Sequence, residues 1–113
     1  MAQRINWKRL VNNIPSHVST KDGLYEVLYT EEFKDGKTLG ESRFEEKQIV
    51  LKKGLSPKET VHTYFHELLH VSSEITGANL TENQVLSLEK DLTFWLNLGI
   101  MVSNRKTRKK KCK

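Results

Sequence analysis

The chain has 113 residues, 36% of them hydrophobic and 29% charged, with a formal net charge of +5. That length suits one domain rather than two. No apolar run approaches a membrane span, the opening MAQRINWKRL carries no apolar h-region, and the single cysteine, Cys112, has no partner for an internal disulfide, which points to a reducing, cytoplasmic setting. The charge is also uneven. Residues 105–113 (RKTRKKKCK) hold seven of the nineteen basic residues and no acid, so the rest of the chain, with twelve basic and fourteen acidic residues, is mildly acidic. A basic tail of this kind can make weak polyanion contacts, nucleic acid among them. A like-charge block is also commonly a disordered, solubilising end.

In chain order, residues 2–14 place Trp7, Leu10, Val11 and Ile14 at i, i+3, i+4 and i+7, which predicts an amphipathic helix stopped by Pro15. Residues 16–23 are polar and read as a turn closed by Asp22-Gly23. Tyr25, Val27 and Tyr29 alternate within residues 24–30 and predict a strand. A loop or hairpin turn follows around Asp35-Gly36. Residues 41–52 read as a strand or hairpin with Ile49, Val50 and Leu51 most buried, ended by Lys53-Gly54.

Two helices with explicit start signals come next. Ser56-Pro57-Lys58-Glu59 is a capping box with proline at the first helical position, and the helix it opens should run to about Ile75 before Gly77. Thr81-Glu82-Asn83-Gln84 is a second capping box, opening a helix with an apolar stripe of Val85, Leu88, Leu92, Trp95 and Gly99. The short link makes the pair a helix hairpin. Helix, strands, helix, helix is an α+β order. A single domain is expected over residues 1–103, followed by a basic, disordered tail over 104–113.

The chemistry sits in His66-Glu67-Leu68-Leu69-His70, an HExxH sequence in mid-helix. Histidines four apart lie one turn above each other, so both imidazoles can reach one ion. Glu67 is turned about 100° away from His66 and can serve as a base toward a water on that ion. The residues around the motif (Thr63, Tyr64, Phe65, Leu68, Leu69, Val71) are uncharged and leave Glu67 without a competing ion pair. Leu68, Leu69, Val71 and Ile75 also suit a plain core helix, but a paired i, i+4 histidine with a glutamate between them is the zinc pattern.

The segment TYFHELLHVSSEITGANLTENQVLSLEKDLTFWL resembles the HExxH helix pair of small, often phage-encoded, zinc metallopeptidase-like proteins, the minigluzincins, and more remotely the ImmA/IrrE and SprT-like families. LGESRFEEKQIVLKKGLSP resembles the strand that precedes that helix there. The resemblance covers about residues 38–98 and is specific only at HELLH. It implies a small antiparallel sheet beside the HExxH helix. Residues 41–51 would line a cleft in which a peptide binds as an added strand, and they suit an ordinary core strand equally well.

Three protein ligands are usual for a catalytic zinc, and as in gluzincins the third is expected from an acid on the next helix. The ImmA/IrrE register, with Glu82 three before Val85 and Leu88 and Leu92 following, favours Glu82. A tight hairpin turning near residue 79 would instead bring Glu89 level with His70. Glu74, one turn after His70, is a further alternative. His62 is either a group supporting the site or a solvated helix histidine, Tyr64 is expected in the core, and no oxyanion-holding residue is identifiable.

The expected function is that of a monomeric, cytoplasmic zinc metallopeptidase-like hydrolase (in the host cytoplasm if phage-encoded), with no membrane partner and a peptide or protein substrate. Zn²⁺ would be held by His66, His70 and Glu82, and Glu67 would assist attack of zinc-bound water on a peptide bond. The alternatives are a non-catalytic, zinc-stabilised interaction or regulatory module, and a nucleic-acid-associated protein that uses residues 105–113.

Overall fold

The computed structural model describes residues 5–93. Trp95, Gly99, Cys112 and the expected domain boundary and tail at 103–113 lie outside the described residues. The first helix, α1 (Trp7–Asn12), is capped by the Asn6 side chain, which accepts from the Arg9 N–H at 3.0 Å. Leu10 enters the core, with Trp7, Val11 and Ile14 packed against it.

The polar residues expected to form only a turn make a strand, β1 (His17–Thr20), paired antiparallel with β2 (Gly23–Thr30). Its side chains alternate between exposed and half-buried, and only Val18 packs on the core. Pairing to β2, rather than intrinsic propensity, makes this segment a strand. Thr20 Oγ1 closes the turn, donating to Gly23 O at 2.6 Å and accepting from the Asp22 N–H at 3.1 Å.

A hairpin of β3 (Gly40–Arg43) and β4 (Gln48–Lys52) follows, and β4 lies between β3 and β2, giving the order β1-β2-β4-β3. The two hairpins are antiparallel, but β2 and β4 run parallel, with Val27 opposite Ile49 and Tyr29 opposite Leu51. The sheet is therefore mixed rather than wholly antiparallel. The reason lies in β4: Ile49, Val50 and Leu51 are all buried, so this strand is apolar on both faces and belongs in the middle. The loop over residues 31–39 carries the chain past the central position to the edge, and the hairpin then folds β4 inward.

The long helix α2 (Pro57–Thr76) packs on β3 and β4. Its capping box is formed as the sequence specifies, with Ser56 Oγ accepting from the Glu59 N–H and Glu59 Oε1 accepting from the Ser56 N–H. Gly77, at φ 73°, ends it in the left-handed conformation. Thr81 and Gln84 form the second capping box (3.1 and 2.9 Å), and α3 runs from residue 82 through 93, the last described position. The helices α2 and α3 pack against each other, so the domain is α+β with a mixed four-stranded sheet and three helices. The buried stripe of α3 is Val85, Glu89 and Thr93; Leu88 is 40% exposed and faces away from the core. Among the described residues no helix is long and apolar enough to cross a membrane.

Candidate metal centre

His62, His66 and His70 follow one another at single-turn spacing along α2, on the side that faces α3. The Nε2 atoms of His66 and His70 lie 3.2 Å apart. Glu82, the first residue of α3, places Oε2 3.2 Å from His66 Nε2 and Oε1 3.0 Å from His70 Nε2. The ligand atoms of His66, His70 and Glu82 all lie within 4.8 Å of one another, a group able to hold a metal ion. The Glu82 side chain is 64% exposed, so it reaches the histidines from the solvent side.

The structure brings Glu82 to the two Nε2 atoms, and Glu89 to other atoms. The simple hairpin estimate fails because the link is not helical. Gly77 at φ 73° and Asn79 at φ 54° turn the chain sharply. Residues 77–81 thus carry the start of α3 back alongside the last turns of α2, and the level partner of His70 is Glu82.

Glu89 lies deeper and is only 6% exposed. Its Oε1 is 3.0 Å from His66 Nδ1 and its Oε2 is 2.9 Å from His62 Nδ1. A carboxylate oxygen facing each Nδ1 favours a proton on that nitrogen. His66 Nε2 is then the ring nitrogen turned to Glu82 and His70. His62 is therefore not a solvated histidine. It is bonded to Glu89 and its ring packs on Trp7 with centroids 5.0 Å apart.

Glu67 points to the opposite wall, which is β3. It is 9% exposed, and Ser42 Oγ donates to its Oε1 at 2.7 Å. Gly40 lets β3 approach this closely, because a Cβ there would overlap Thr63 Cγ2 and lie 3.2 Å from Glu67 Cγ. The two walls bound a cleft of about 270 Å³ whose lining includes Leu39, Gly40, Thr63, His66, Glu67 and Leu86. Of the expected cleft strand, residues 41–43 stand at the sheet edge in β3, while 48–51 belong to the central β4.

Glu74 is exposed, away from this cluster, and His17 is an exposed residue of β1 bonded to Ser16. Tyr64 belongs to the core, where burial pushes its hydroxyl up to about 12. Sequence reasoning missed the parts played by Glu89, Ser42 and Gly40. Glu89 did carry a signal, as an acid four residues from Val85 and from Thr93 on one helix face; Ser42 and Gly40 carried none. No family model, curated protein or solved structure matches this chain.

Proposed function

We propose that the chain is a zinc-dependent hydrolase of the metallopeptidase type, with His66, His70 and Glu82 holding the ion and Glu67 as general base. The observation that supports the reading is the convergence of three potential ligand atoms, the Nε2 atoms of His66 and His70 and a Glu82 carboxylate oxygen, within 4.8 Å of one another. Glu89 occupies Nδ1 of His66 at 3.0 Å and leaves Nε2 as the ring nitrogen turned to Glu82. Tetrahedral zinc with bonds of about 2.0–2.1 Å sets its ligand atoms roughly 3.3 Å apart, close to the 3.2 Å between the two histidine Nε2 atoms, and one Glu82 oxygen stands with them within 4.8 Å. Two imidazoles and a carboxylate are also a donor set suited to zinc.

When bound, zinc supplies a Lewis acid for a peptide carbonyl and makes water more acidic. Glu67 accepts the proton of the attacking water and passes it to the leaving amine. Ser42 steadies that carboxylate by holding Oε1. The β3–β4 register, with the Lys52 N–H bonded to Leu39 O, directs the backbone N–H and C=O groups of Gly40 and Ser42 away from β4. An extended peptide can lie beside them as an added strand.

One observation favours a second reading, a zinc-stabilised module without turnover. In the cleft, the Thr63 hydroxyl already donates to Glu59 O and His62 Nδ1–H to Glu89, so neither donor is free for a developing oxyanion. One experiment decides between the two. Purified protein is expected to carry about one zinc per chain and to cleave peptides from a mixed library, while Glu67→Gln keeps the zinc and loses the cleavage. Equal turnover by both proteins would remove Glu67 as the base, and absence of turnover in the zinc-loaded wild type would favour the module. Stoichiometric zinc in the His66→Ala/His70→Ala double variant would end both.

A further inference from the structure

The geometry points to His62 as a positioning residue for the metal centre: its Nδ1–H holds the Glu89 carboxylate, which in turn fixes His66 with its proton on Nδ1 and its lone pair on the metal side. This inference rests on the metal reading above and goes beyond the ligand set. Glu89 is nearly sealed from solvent and uses one oxygen for each histidine, 2.9 Å to His62 and 3.0 Å to His66. Remove the His62 donor and a buried carboxylate oxygen loses its partner. The carboxylate can then rotate to seek another, and His66 loses what fixes its tautomer and ring plane.

His62 is itself held from the far side. Trp7 of α1 packs on its ring with centroids 5.0 Å apart and planes 43° apart, and Lys58 Nζ lies 5.8 Å from the Trp7 ring centroid on the same α2 turn that leads to His62. A continuous chain of contacts therefore runs Trp7, His62, Glu89, His66. It ties the N-terminal helix, which contributes no ligand, to the orientation of one that does.

The test uses the full chain with Zn²⁺ alone, its affinity measured by chelator competition, and ¹⁵N NMR of the His66 ring in the metal-free protein. His62→Phe keeps a ring against Trp7 and deletes the N–H. It is expected to weaken zinc binding about tenfold, the low end for groups that orient a ligating histidine, and to convert a single Nδ1–H tautomer of His66 into a mixture. His62→Asn places an amide N–H where Nδ1 stood and should restore both readouts to within about twofold of wild type. Zinc affinity and tautomer unchanged in His62→Phe would overturn the proposal. So would His62→Asn behaving like His62→Phe, which would leave only a packing role for the ring. If His62→Phe does not fold, the contrast between His62→Asn and His62→Gln, whose amide lies one bond further out, carries the same decision. If wild type binds no zinc, the metal reading fails and this inference with it, whereas unchanged affinity in His62→Phe overturns this inference alone.

Discussion

The Ser42 hydroxyl on the edge strand donates to Glu67 on the HExxH helix at 2.7 Å, across 25 positions of sequence. The same oxygen lies 3.1 Å from the Glu67 backbone carbonyl, so one small side chain meets both the Glu67 carboxylate and the helix backbone that carries it. Ser42→Ala should leave one oxygen of a nearly buried carboxylate without its donor. A loss of about 1–3 kcal/mol is expected in urea unfolding of the metal-free protein, with zinc stoichiometry unchanged. Stability equal to wild type would mean that water replaces the hydroxyl at no cost.

Gly40 and Thr63 set how near β3 comes to α2. Gly40→Ala places a methyl group against Thr63 Cγ2, and overpacking of this kind costs about 1–3 kcal/mol. Thr63→Ser removes Cγ2 and keeps the hydroxyl that donates to Glu59 O at 2.7 Å. The double variant should therefore recover most of the loss, a coupling measurable by a double-mutant cycle. Strict additivity of the two changes would show that the strand moves rather than clashes.

Glu82 and Glu89 are separable by what each loses. Glu82 is largely exposed, so Glu82→Ala should lower zinc affinity at least tenfold while metal-free stability stays within about 0.5 kcal/mol. Glu89→Ala should destabilise even the metal-free protein, by about 1–3 kcal/mol, because it strands two imidazole N–H groups inside. Chelator competition and denaturant unfolding on both variants give the comparison. The reverse pattern would exchange their roles.

Thr81 accepts from the Gln84 N–H at 3.1 Å, immediately before Glu82. Thr81→Ala should fray the first turn of α3, cost about 1 kcal/mol and lower zinc affinity several-fold, since the turn that loosens is the one that carries the proposed third ligand. Intact affinity with lowered stability would place the fraying elsewhere in the helix.

What the sequence made legible was local. Both capping boxes, the Gly77 stop and the amphipathic stripe of α1 are short-range patterns, and the structure contains each of them. What it hid depends on partners distant in the chain. β1 is a strand because β2 lies beside it, β4 is central because both of its faces are covered, and Ser42 matters only because Glu67 is opposite. The hairpin estimate for Glu89 failed on the path of five linker residues, a matter of backbone conformation at Gly77 and Asn79. Glu89 itself was visible as an acid, but reading it as a bridge requires His62 and His66 to be seen on the facing helix.

The threading of β4 between β2 and β3 separates the two sides of the site by the sequence range of the contacts that build them. The proposed ligands His66, His70 and Glu82 lie within seventeen consecutive residues on two adjoining helices, and such short-range contacts close quickly. Gly40 and Ser42 reach the cleft only after the β3–β4 hairpin forms and β4 docks in parallel on β2, a seam spanning more than twenty residues. On the proposed reading, a chain in which that hairpin has not docked keeps the proposed ligand set together while lacking the wall that holds Glu67.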